Sequence, residues 1–398
     1  MIFFQNSVQV TLKKFINSEE SGAILILLCA LISLAVANSS VGESYQHIWH
    51  KQIFGLSLDL WINDGLMAIF FLFIGLELER ELYSGELSNF RKALLPIFAA
   101  VGGIALPALI HFSLNVGTPT KVGIGIPMAT DIAFALGVLA VLGSRVPASL
   151  RVFLTALAVM DDLGAIIVIA LFYTADLHTF YLVVAIVIFI VMVVMNRALR
   201  IIALLPYLMG GAVMWFFMLK SGIHATIAGV LLAFAVPYSS KKNDEESPSH
   251  KLEQILHKPV LFLILPIFAM ANTGLSISSN WAEELSSRNS IGILAGLVIG
   301  KPLGISLLVF IVVHLGICRL PIDLNWKHIF GAGLLGGIGF TMSIFITNLA
   351  FAGDAEIINA SKFAILLASL AAGLIGFVWL NFLGRGNNRP TKNFDPTP

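Results

Sequence analysis

The sequence predicts an all-α membrane protein with twelve transmembrane helices, and three observations lead there. Of its 398 residues, 58% are hydrophobic and 12% charged, where a soluble globular chain carries roughly 45–50% apolar and about 25% charged residues. The charge needed to keep so long a chain dissolved is missing. Apolar runs near the ~20 residues that cross a bilayer recur along the chain. The charge also divides by side: with the N-terminus placed in the cytoplasm, most of the 24 Lys and Arg fall on that face. Lys51, Lys121, Lys220, Arg288 and Lys362 fall on the other face, and Lys301 lies within a span. This asymmetry fits an even number of spans with both termini inside.

The spans are expected at 21–38, 61–78, 93–114, 122–143, 149–173, 179–197, 201–219, 222–237, 257–271, 290–314, 329–350 and 359–383. Residues 1–384 read as one transmembrane transporter domain, and 385–398, rich in Asn and Pro, as a disordered cytoplasmic tail. The N-terminus lacks the pattern of a cleaved signal peptide. Ser239 to Lys258, dense in charge, reads as a solvated cytoplasmic loop. A net charge of +1 argues against a nucleic-acid partner. Cys29 and Cys318 have no disulfide or metal-ligand spacing and read as packing residues.

Two segments resemble each other. Met128 to Ala140 (MATDIAFALGVLA) and Gly337 to Ala350 (GIGFTMSIFITNLA) both set a Thr among small residues, after Gly123 and Gly125 in one and Gly331, Gly333 and Gly336 in the other. Gly and Pro127 weaken a continuous helix there. Interrupted helices survive in a bilayer only where they line protein or water, and paired ones point to a transporter's binding site.

Four ionisable residues fall deep in predicted spans: Asp131, Asp161, Asp162 and Lys301. Each costs roughly 2.5–3.5 kcal/mol at the bilayer centre. Ion pairing alone is a poor explanation, because three acids and one base cannot pair one to one. Successive helical residues point ~100° apart, so Asp161 and Asp162 read as two roles rather than one clamp. Low dielectric and a nearby like charge favour the protonated form of a carboxyl group. Such a group can carry a proton, or lose it and hold Na+, a hard cation suited to oxygen ligands. Competition for the same oxygens, in a site open to one side at a time, becomes exchange. Asp162, Asp161 and Thr130 are the expected Na+ ligands, although Thr130 has the alternative of bonding its own backbone. Lys301 reads as a buried partner for an aspartate, with snorkelling as the alternative. His224 is a packing residue or a pH-responsive one. Glu77, Arg80 and Glu81 share a helix face and form an ion-pair cluster by spacing alone.

Together MATDIAFALG, LAVMDDLGAI, LKSGIHATIAG, IGKPLGIS and GIGFTMSIF resemble the bacterial Na+/H+ antiporter NhaA family, over about Ser21 to Leu380. The resemblance implies inverted repeats, with the fourth and eleventh helices broken and crossing. Asp131 would offset the N-terminal ends of the half-helices and Lys301 the C-terminal ends. Asp162 would be the main ion and proton carboxylate, with Asp161 sharing that work or pairing with Lys301. It further implies electrogenic exchange of Na+, and of Li+, for H+ in the bacterial inner membrane, with no cofactor and no enzymatic reaction. Alkaline activation would run through Glu77, Arg80, Glu81, Glu253 and His257, with His224 a further candidate. Glu79 and Gln254 depart from the pattern, where a basic residue and a histidine are expected. Gln46 to Asp59 would supply a hairpin that joins a homodimer. Two other classes compete. A sodium-coupled symporter for an organic anion lacks an intramembrane Arg to hold a carboxylate. An intramembrane aspartyl protease needs two facing aspartates, and Lys301 would spoil their shared proton.

Overall fold

The computed structural model describes residues 19–174, 177–239, 247–277 and 280–387. In chain order, α1 (Glu19–Ala37) and a short α2 (Gly42–Trp49) lead to a hairpin of β1 (Gln52–Ile53) and β2 (Leu56–Ser57). At its tip Phe54 and Gly55 have φ of 52° and 80°, the left-handed conformation that a two-residue hairpin turn demands. Next come α3 (Leu58–Tyr83) and α4 (Phe90–Asn115). A tight 3₁₀ segment (Pro119–Met128) passes through extended backbone at Ala129 and Asp131 into α5 (Ile132–Leu142). Then follow α6 (Ala148–Phe172), α7 (Thr179–Arg197), α8 (Leu204–Ser221), α9 (Ile227–Ala235), α10 (Pro248–Asn272), α11 (Trp281–Leu285) and α12 (Arg288–His314). α13 (Trp326–Gly336) and α14 (Phe340–Ala350) meet at a break, and α15 (Ala355–Asn387) closes the chain.

Among the described residues, nine helices are long and apolar enough to cross a membrane, and α13 with α14, bent by 48°, makes a tenth if the pair is one span. Two of the twelve expected spans fall short of that length: the apolar part of α1 (Ser21–Ala37) and the nine-residue α9. The outer surface is apolar, as a lipid-facing one must be. On α7, Val183, Ile186, Val187, Ile190, Val191 and Val194 all point outward.

Three expectations change. The polar stretch up to Lys258 is not wholly a loop. Ser247 caps a helix there, its hydroxyl accepting from the His250 amide, and α10 runs unbroken from Pro248 to Asn272. Its first turns are amphipathic and so escaped a search for apolar length; residues 240–246, like Lys13 and Lys14, lie outside the described residues. α15 continues to Asn387, and the expected tail beyond it lies outside the described residues. Lys362, expected at the outer face, is buried near the start of α15.

Two local features position the site. Single π-helical stretches lie within α3 (Trp61–Leu66), α10 (Val260–Ile264) and α12 (Gly296–Gly300), the last ending just before Lys301. Such stretches often mark functional positions. α4 and α12 cross backbone to backbone at Gly102 and Gly304. A Cβ on Gly304 would stand 2.1 Å from the Gly102 carbonyl oxygen. That approach brings Lys301 into the interior.

Candidate functional site

The broken segments bring four chain ends together around Asp131. Its Oδ1 accepts from the Phe134 amide at 3.3 Å, capping α5. Its Oδ2 accepts from the Thr341 amide at 3.0 Å and the Thr341 hydroxyl at 2.5 Å, at the start of α14. The Asp131 amide itself donates to the Ile338 carbonyl at 2.6 Å. One carboxylate thus serves the partial positive charge of two facing helix N-termini, which carry unpaired N–H groups.

Thr130, one residue earlier, binds the opposite charge. Its Oγ1 lies 2.6 Å from Asp161 Oδ2 and 2.8 Å from the Gly336 carbonyl at the end of α13. It also accepts from Lys301 Nζ at 2.8 Å. Lys301 forms an ion pair with Asp161 Oδ2. The ammonium therefore reaches the C-terminal end of α13 through the Thr130 hydroxyl. All five are buried: Asp161 and Asp162 on α6, Lys301 on α12, and Thr130 and Asp131 in the extended stretch just before α5.

Asp161 and Asp162 differ in what they touch. Among the described residues, Asp161 uses one oxygen for Lys301 and Thr130, while its Oδ1 is buried with no hydrogen-bond partner. Asp162 Oδ1 is likewise buried and unpartnered. Asp162 directly follows Asp161, which holds the ammonium of Lys301. Among the described residues, no three His, Cys, Asp or Glu side chains converge as metal ligands. A cation here would draw on hydroxyl and backbone oxygens beside the two carboxylates.

The second group of expected residues divides. Arg80 is the hub. It donates to Glu253 Oε1 at 2.8 Å and to Glu81 Oε1 at 2.9 Å, and stands 3.7 Å from Glu77 Oε1. His250 lies 3.6 Å from Glu253 and is bonded by Gln254 at 2.9 Å. His257 is exposed and packs edge-on against Phe73, outside this cluster. His224 is at the far end of α3, where its Nδ1 lies 3.9 Å from Asp64 Oδ1. Glu79, the departure from the expected basic residue, is buried and accepts from the Ser249 hydroxyl at 2.8 Å.

Sequence reasoning weighed ionisable groups and passed over amides. It missed Thr341 as the partner of Asp131, and a partly buried chain of Asn63, Asn272 and Asn348 with buried Lys362 beside it. Asparagines inside apolar runs were the available signal.

The family model described as Na+/H+ antiporter 1 matches residues 13–380. The Na(+)/H(+) antiporter NhaA of Dechloromonas aromatica is 66% identical, covering 97% of this chain and 99% of that protein. That of Flavobacterium psychrophilum is 56% identical, over 96% and 98%. That of Vibrio campbellii is 49% identical, over 93% and 95%. With matches of this extent, the chain belongs to the NhaA family of Na+/H+ antiporters.

Proposed function

We propose that the chain is a secondary transporter that exchanges Na+ for H+, with Asp161 and Asp162 as the oxygens both ions compete for. One observation carries this reading: two adjacent buried carboxylates each keep an oxygen without a partner among the described residues. A dehydrated Na+ or a proton can satisfy such an oxygen, whereas an empty site leaves it costly. Lys301 holds the other oxygen of Asp161, so ion binding at Asp161 competes with that ammonium, while Asp162 can take its ion directly. Asp131 and Thr130 keep the half-helix ends in place around them. Exchange of more than one proton per Na+ would make transport electrogenic, and Li+, a smaller hard cation, would share the route. The protease alternative is opposed by the bonding of its aspartates: Asp131 serves Thr341 and Asp161 serves Lys301.

The wider reading is a twelve-span protein of the bacterial inner membrane with both termini cytoplasmic and α13/α14 one of two crossing broken spans. The Arg80 cluster would be its pH-responsive element. Glu77 belongs to that cluster through its approach to Arg80. The exposed β1–β2 hairpin, with Phe54 at its tip, would join two copies.

The test uses everted membrane vesicles with an imposed pH gradient. Na+ or Li+ should collapse the gradient, and Asp162→Asn should abolish that response while the protein still reaches the membrane. An absence of any cation response across neutral and alkaline pH would defeat the proposal.

A further inference from the structure

A second polar layer lies at the end of the molecule opposite the Arg80 cluster. Asn272 of α10 donates to Asn63 Oδ1 of α3 at 2.9 Å, and Asn348 of α14 donates to Asn272 Oδ1 at 2.6 Å. Lys362 of α15, buried, donates to that same Asn272 oxygen at 3.4 Å. Asp59 is close enough to act on its charge but lies 3.7 Å from His50 instead. Among the described residues Lys362 forms no ion pair. A lysine in such a place is expensive, and its usual remedy is a carboxylate.

The layer has a definite position relative to the aspartates. Thr341, which binds Asp131, and Asn348 are seven residues apart on α14, two turns and roughly 10 Å along one face. Between them Phe345 meets Phe71 of α3 and Phe268 of α10, with ring centroids 5.5 and 6.4 Å apart. The same three helices thus carry an aromatic layer next to the ion site and an amide layer beyond it. Asn63 sits in the π-helical stretch of α3 and there accepts from Asn272. Amide oxygens are good ligands for a hard cation, and the ammonium of Lys362 already uses one of them.

We propose that Asn63, Asn272 and Asn348 form a second, transient cation station beyond the aromatic layer, where Lys362 is a tethered cation that displaces Na+ toward the nearby aqueous face. Lys362 holds the Asn272 oxygen when no ion is present. A Na+ arriving from the aspartates takes that oxygen, and the adjacent ammonium then drives the ion outward and opposes its return. This rests on the antiport reading above, and it makes Lys362 a positioning residue for one direction of travel.

Right-side-out and everted vesicles present Na+ to opposite faces of the protein, and proton movement reports exchange in both. Lys362→Met should lower the apparent KM for Na+ at the Lys362 face by about threefold or more, as removal of a unit charge beside an ion site predicts. The apparent KM at the Arg80 face should stay unchanged. Lys362→Arg should restore the parent value, and Asn272→Ala should raise the KM at the Lys362 face by removing the shared oxygen. Opposite signs confined to one face are not produced by a merely structural role. If Lys362→Met fails to assemble, Asn272→Ala alone decides the matter. Shifts that are equal at both faces, or absent at the Lys362 face, would overturn the station while leaving antiport intact. A parent protein with no exchange would overturn both.

Discussion

Replacing Lys301 with Met tests how the centre is held together. Lys301 and Asp161 are both fully buried, and Met matches the length of the lysine stem. The substitution removes the ion pair and the ammonium's bond to Thr130, which stands at 2.8 Å. Asp161 is left with the Thr130 hydroxyl at 2.6 Å, which it shares with the Gly336 carbonyl at 2.8 Å. Breaking a buried pair by removing one partner costs about 3–5 kcal/mol, chiefly because the other charge is stranded. The double variant Lys301→Met with Asp161→Asn strands no charge, and a neutral replacement of a buried pair comes out within about 1 kcal/mol of the parent. The second substitution should therefore recover about 2–4 kcal/mol of the single variant's loss. At roughly 2 °C per kcal/mol, the single variant should lose about 6–10 °C in thermal unfolding in detergent, and the double variant should regain most of it. A double variant as unstable as the single one, or a single variant at parental Tm, would refute the argument that charge compensation holds the centre.

Two further substitutions address the scaffold around the site. Thr341→Val keeps shape and the backbone bond to Asp131 but removes the hydroxyl bond at 2.5 Å. Loss of a hydrogen bond to a charged group should cost about 1.5–3 kcal/mol in thermal unfolding, and an unchanged Tm would show that Asp131 is held by the helix ends alone. Gly304→Val puts a branched side chain where a Cβ would be 2.1 Å from the Gly102 carbonyl oxygen. α4 and α12 must separate, so Na+-driven exchange should be lost and Tm should fall, whereas Leu303→Val, on the exposed side of the same turn, should leave both near parental values.

Length and apolarity made the long helices legible, because a bilayer leaves the chain few other ways to satisfy its backbone. Ala148–Phe172 and Thr179–Arg197 lie within a residue or so of their expected limits. Where apolar length and helix length part company, the sequence misled. α10 begins nine residues before its expected start because its first turns face water on one side. α9 is shorter than its apolar run because Gly222 adopts a left-handed conformation and the next residues turn before Ile227. The charged centre was legible residue by residue, since charge in an apolar run stands out. Its wiring was not: that Thr130 links Lys301 to Gly336, or that Thr341 answers Asp131, depends on contacts between segments some two hundred residues apart. His224 and His257 were grouped by chemistry, and the fold separates them because α3 is long enough to hold Asp64 and Arg80 at opposite ends.

The π-helical stretch of α3 has a consequence for the faces that the helix presents. It holds one residue more than an α-helical turn of similar height, and one residue is about 100° of rotation. α3 carries Asn63 within this surplus turn and Glu77 and Arg80 near its far end. The faces before and after the stretch are therefore offset from those of a straight helix, so that one span keeps two angular registers, one for the amides and one for the charged cluster.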